Sequence, residues 1–142
     1  VARVEGGRWL RAEPFPDGLA RAIADVAYAL DLEDDWLNAG PAGLVDLGLP
    51  DGCEERAVVR SYGALTIRLA AVQDLVAFKL YAAADHWPDR GRHLADLRRL
   101  GPTPEALISA ARWCRTHDPS DGFRDMLLLP VLAEFGVDGS DV

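Results

Sequence analysis

The apolar positions Leu19, Ile23, Val26 and Leu30 recur at the three- and four-residue spacing of one helix face, and Ala20, Ala24 and Ala27 widen that stripe. The pattern predicts a helix from Asp17 to about Leu30 that faces the core on this side. Pro16-Asp17-Gly18 supplies turn chemistry before it, and Asp17 is placed to cap it. Upstream, Val1 to Trp9 suits a short strand or hairpin arm containing Gly6-Gly7. Leu44 to Leu49 reads as a short extended segment, closed by the turn residues Pro50-Asp51-Gly52. Two period-two stretches follow, Arg56 to Tyr62 and Leu65 to Leu69, rich in strand formers and separated at Gly63, which predicts a β-hairpin.

Beyond Val72 the period changes to that of helices. Leu75, Val76, Phe78, Leu80 and Ala83 form the apolar side of a helix to about Trp87, where Pro88 stops it. Arg92 to Leu100 carries Leu94, Leu97 and Leu100 and ends at Gly101-Pro102. Thr103-Pro104-Glu105 starts a third helix, running to about Arg115, with a capping hydroxyl, a proline in the first turn and an acid at the positive end of the dipole. Asp118-Pro119 repeats that logic for a last helix to about Phe135. Strands followed by a run of helices predict an α+β fold: a small mixed or antiparallel sheet, helices packed on it, and a helical half over residues 72–137.

A length of 142 residues suits a single domain. The chain lacks an initiator methionine, Met126 being its one Met, which predicts that residue 1 is not the natural start and that an N-terminal part precedes it. No apolar run reaches the roughly 20 residues of a membrane helix, and no signal peptide opens the chain, so a cytoplasmic protein with no membrane partner is expected. Cys53 and Cys114 are far apart and read as buried free thiols.

The net charge of −8 argues against general binding to a phosphate backbone, although it does not exclude nucleic acid. The stretch from Val72 to Leu100 is locally less acidic: Lys79, Arg90, Arg92, Arg98 and Arg99 stand against Asp74, Asp85, Asp89 and Asp96. Lys79 is the chain's one lysine among fifteen basic residues, and a compact ammonium is not interchangeable with a guanidinium. The acidic run Asp31, Glu33, Asp34 and Asp35 falls at a helix exit and reads as a solvated loop. His86, His93 and His117 have no metal-ligand spacing, so no metal site is expected from the chain itself. Arg90 and Arg92 have the geometry to hold a phosphate with two parallel hydrogen bonds each.

The residues Leu65-Thr66-Ile67-Arg68-Leu69-Ala70-Ala71-Val72-Gln73-Asp74-Leu75-Val76-Ala77-Phe78-Lys79-Leu80, followed by Arg92-His93-Leu94-Ala95-Asp96-Leu97, resemble the nucleotidyltransferase-like superfamily that includes AbiEii-type toxins of bacterial toxin–antitoxin systems and related uncharacterised bacterial proteins. Asp35-Trp36-Leu37-Asn38 is also similar to a segment of those relatives. The likeness covers roughly residues 17–100. It implies that Lys79 contacts nucleotide phosphates and that Asp96 stands where the family has a functional carboxylate; Arg90 and Arg92, through their guanidinium chemistry, are the further nucleotide-binding candidates. His93 stands where many relatives have the first Asp of an Asp-x-x-Asp-Leu element.

The resemblance further implies that an active member needs Mg²⁺ and a nucleoside triphosphate, held through a Gly-Ser turn and an Asp-x-Asp pair that positions and neutralises the phosphates. This chain carries neither motif before its first helix. The expectation is therefore a nucleotidyltransferase-like domain from a toxin–antitoxin or defence setting that is not catalytic as it stands. A nucleotide and an antitoxin or other protein are the partners expected. The alternative is a non-catalytic module for protein interaction or homodimerisation.

Overall fold

The computed structural model describes residues 2–6, 8–63 and 65–142. Val1, at the head of the expected N-terminal arm, and Gly7, in its turn, lie outside the described residues. The chain divides into two compact units, Val1–Leu49 and Pro50–Val142.

In the first unit, β1 (Ala2–Glu5) pairs antiparallel with β2 (Arg8–Arg11), Ala2 opposite Arg11 and Glu5 opposite Arg8. Gly6 has φ +57°, a left-handed turn conformation that a residue without Cβ enters freely. Helix α1 (Asp17–Leu30) begins on Pro16, whose carbonyl takes the N–H groups of Leu19 and Ala20. Asp17 is thus the first helical residue, where its charge meets the positive end of the dipole, and its side chain makes no cap hydrogen bond. The buried face is narrower than its sequence stripe: Ile23 and Ala27 are buried, whereas Val26 and Leu30 are exposed. Trp36 reaches back to this helix, donating its indole N–H to the Ile23 carbonyl at 3.1 Å.

Leu44–Leu47 is a helical turn, α2, preceded by a 3-10 turn at Gly40–Gly43, and not the extended segment its apolar residues suggest. The Asp46 carboxylate receives the Arg11 guanidinium of β2 at 2.5 Å.

In the second unit, the turn α3 (Cys53–Arg56) leads into the hairpin β3 (Val58–Tyr62) and β4 (Leu65–Leu69), with Val58 opposite Leu69, Arg60 opposite Ile67 and Tyr62 opposite Leu65. Helices α4 (Val72–Asp85), α5 (Arg92–Leu100) and α6 (Pro104–His117) follow. Gly101 ends α5 in the left-handed region, and the Thr103 hydroxyl caps α6 by accepting the Ala106 N–H.

The last helix starts later than Asp118-Pro119 suggests. Ser120 is its cap, and Asp118 instead holds the Ser120 N–H. It runs as α7 (Asp121–Phe123), a π turn (Arg124–Leu128) and α8 (Leu129–Ala133). Pro130 has no N–H to give to the previous turn and would crowd its carbonyl. The wider turn, in which the Leu129 N–H reaches the Arg124 carbonyl, accommodates it without ending the helix.

The core lies among these helices. Leu80 of α4, Leu94 and Leu97 of α5, Leu107 and Cys114 of α6, and Leu128, Val131 and Leu132 of the last helix are all fully enclosed. Cys53 and Cys114 are free and buried, and burial pushes the Cys114 thiol up to about 12, so it stays protonated. The architecture is α+β with a helical C-terminal half. Among the described residues no helix is long and apolar enough to cross a membrane.

Candidate functional site

Lys79 sits in α4 one residue before the enclosed Leu80, and Asp96 sits in α5 one residue before the enclosed Leu97. Packing those leucines brings their neighbours to the same rim of the core. There the Lys79 ammonium donates to Asp96 Oδ2 at 2.6 Å, each side chain about one-third exposed, at 33% and 35%. The Lys79 hydrogen bond, helped by the charges of Lys79, Arg99 and His93, holds the Asp96 carboxyl below its ordinary range.

His93 lies three residues before Asp96 on the same helix face. Its ring packs against His86 with centroids 4.9 Å apart, and its Nδ1 is buried without a hydrogen-bond partner. Burial, then the charges of Lys79, His86 and Arg92, holds His93 below the ordinary histidine value, with Asp96 opposing. His86 lies 2.8 Å through Nδ1 from the Ala82 carbonyl. A donated Nδ1–H makes that bond and leaves its Nε2 open.

The four residues singled out by the sequence therefore separate. Lys79 and Asp96 form a pair. Arg92, exposed at the start of α5, acts electrostatically on the same cluster through His93. Arg90 is turned elsewhere: it donates to Glu134 Oε1 at 2.7 Å while Arg98 donates to Oε2 at 2.7 Å, and its guanidinium lies 5.4 Å from the Trp87 ring centroid. This arrangement clamps the segment after α4 and the end of α5 onto the end of α8.

Two features were not legible as a site. One is the histidine pair beside Lys79. The other is Asp74, enclosed to 1% exposure, which accepts from Arg56 at 2.5 and 3.3 Å and so ties α3 to the first turn of α4. An acid this close to the apolar side of α4 was the one available signal for Asp74. Nothing in the sequence pairs it with Arg56.

Among the described residues no three His, Cys, Asp or Glu side chains gather closely enough to hold a metal ion. The carboxylate nearest the site, Asp96, is already engaged by an ammonium. These residues do not form a donor set for Mg²⁺. Compared with known protein families, with curated proteins and with solved structures, the chain matches none.

Histidine burial has a consequence for stability. His93 and His117 are both held below the ordinary value of 6.5, in each case first by burial. His117 Nε2 is buried without a partner, and its ring meets the Trp113 ring edge-on at 4.4 Å. The unfolded chain therefore takes up these protons at a higher pH than the folded one. The stability they support is fully present above 6.5 and is lost as the pH falls through the lowered folded values. Urea midpoints are expected to be lower at about pH 5.5 than at about pH 7.5, with an unchanged m-value. A midpoint that holds level across this window would contradict the burial of these rings.

Proposed function

We propose that the chain is a nucleotidyltransferase-like domain, related to toxin–antitoxin or defence proteins, that takes a nucleotide at Lys79 and does not catalyse transfer as it stands. The observation that supports the reading is the Lys79–Asp96 pair. The two residues named by the resemblance, 17 positions apart in sequence, meet at 2.6 Å on one rim of the helical core. Lys79 supplies a point charge for phosphate oxygens. Asp96 orients the ammonium and keeps it from collapsing onto the surface, and Arg92 adds a second cation nearby. Arg90 contributes only if it leaves Glu134. Transfer would need the Gly-Ser turn and Asp-x-Asp pair, neither of which the sequence carries before its first helix.

Titration calorimetry with each nucleoside triphosphate, with and without Mg²⁺, tests this. Saturable binding that falls at least tenfold in Lys79→Ala, with no pyrophosphate released, is expected. Equal binding by the variant would remove Lys79 from the site, and pyrophosphate release by the wild-type chain would overturn the non-catalytic part.

One observation favours the second reading, an interaction or dimerisation module. Val58, Tyr62, Leu65, Ile67 and Leu69 share one face of the β3–β4 hairpin with Arg60, and these five apolar residues are exposed, from 37% for Ile67 to 63% for Tyr62. A face this apolar is characteristic of association surfaces. Concentration-dependent sedimentation abolished by Ile67→Glu would favour this reading over a nucleotide site.

A further inference from the structure

We propose that His93 is a proton-operated release for the Lys79–Asp96 pair: when the ring gains a proton, Asp96 is shared between His93 and Lys79, and the ammonium becomes available to another anion. The proposal uses the same lysine as the nucleotide reading, but it concerns the free protein and does not require a nucleotide.

The geometry is a cluster of groups with too few negative charges. Acting on His93 are Lys79 of α4 and His86 just after that helix, the latter with Asp85 Oδ2 3.9 Å from its Nδ1; on its own helix α5 are Arg92 and Asp96. Asp96 is the carboxylate that acts on His93 itself, Asp85 lying beside His86. With His93 neutral, Asp96 has a single close partner, the Lys79 ammonium at 2.6 Å. The buried Nδ1 of His93 has no partner at all, and an unsatisfied buried polar atom is costly in either tautomer.

A proton taken from solvent makes both ring nitrogens donors. The new cation lies against the His86 ring and near two other cations, so the available relief is the carboxylate one helical turn away. A carboxylate has two oxygens with several acceptor positions, so His93 and Lys79 can share it. The total charge of the cluster rises by one, and the Lys79 ammonium is no longer fully compensated. Anions of the phosphate or carboxylate class would then be held more tightly at lower pH. His86, through ring contact, sets how readily the proton is accepted, because any charge on it repels a second one.

The chain's single lysine makes the test direct, since ¹³C,¹⁵N-lysine labelling gives one side-chain signal. The full chain, without nucleotide, is titrated from about pH 8 to about pH 5 by NMR, the range in which histidines change charge. The Lys79 Cε and Nζ signals and the His93 ring signal are followed together. The expected result is a Lys79 shift whose midpoint matches that of His93, below 6.5.

In His93→Gln the Lys79 signal is expected to stay level. In His86→Gln the matched midpoints are expected to move upward together, because a repelling neighbour is gone. In Asp96→Asn the Lys79 signal is expected at the position of an unpaired lysine throughout. The proposal is overturned if His93 titrates while Lys79 does not follow, or if Lys79 shifts equally in His93→Gln. Should a variant unfold, agreement or disagreement of the two wild-type midpoints decides the matter alone. Because no nucleotide is present, failure here leaves the calorimetric result standing, and the reverse also holds.

Discussion

Leu80→Ala is expected to lower the unfolding free energy by about 2–5 kcal/mol, the range for deleting an enclosed leucine when the surroundings close only partly over the cavity. Leu80 has no exposed surface and sits in α4, the helix that packs against α5, α6 and the last helix. It belongs to one enclosed cluster with Leu94 and Leu97 of α5 and Leu107 of α6, so refilling the space calls on side chains from several helices. Urea denaturation followed by circular dichroism would measure the effect as a lower midpoint with an unchanged m-value. A loss under about 1 kcal/mol would mean that the helical core repacks freely and is not organised around α4.

The second large effect concerns the Arg56–Asp74 pair, and it is expected to be asymmetric. Asp74 is enclosed, with a side-chain exposure of 1%, while Arg56 keeps 31%. Replacing Arg56 with Met preserves much of the stem but strands a carboxylate in the interior, which costs about 3–5 kcal/mol when a buried pair loses one partner. The lower end of that range is expected here, since one end of the pair already reaches water. Replacing Asp74 with Asn removes the charge, keeps an acceptor for the guanidinium, and leaves Arg56 able to turn to solvent. Its cost is expected to be nearer 1 kcal/mol, a typical hydrogen-bond contribution. Paired denaturation curves for the two variants check this order. A larger loss for Asp74→Asn would show that Asp74 matters through its own hydrogen bonds and not through its need for a cation.

The helical half was well marked in the sequence where its boundaries carry their own chemistry. Gly101 closes α5 in the left-handed conformation that suits it, and Thr103-Pro104 opens α6 with a cap that the structure shows. The β3–β4 hairpin was equally plain from two strand-forming runs around Gly63. The misreadings arose where contacts distant in sequence decide the outcome. Leu44–Leu47 is helical beside the Arg11–Asp46 contact, and a window of six residues contains no trace of Arg11. On α1 the predicted stripe is buried at Ile23 and Ala27 and exposed at Val26 and Leu30. The last helix runs past Pro130 as expected, and a π turn accommodates the proline.

The same division holds at the site. Lys79 was conspicuous as the one lysine, and Asp96 came forward through the resemblance. What the sequence could not supply was the partner of each side chain. Arg90 and Arg92, two residues apart, have different surroundings because Glu134, far along the chain, takes the first and not the second. The contact between the rings of His86 and His93 depends on how the segment after α4 turns back, which no local pattern encodes.

The central claim is that Lys79 is where this protein meets nucleotide, and its single lysine signal is the direct reporter. The decisive measurement is a nucleoside triphosphate titration of the lysine-labelled chain at neutral pH. The account predicts that the Lys79 Nζ signal shifts and saturates together with the calorimetric binding curve. It is contradicted if nucleotide saturates the protein while that signal stays in place, or if no nucleoside triphosphate binds.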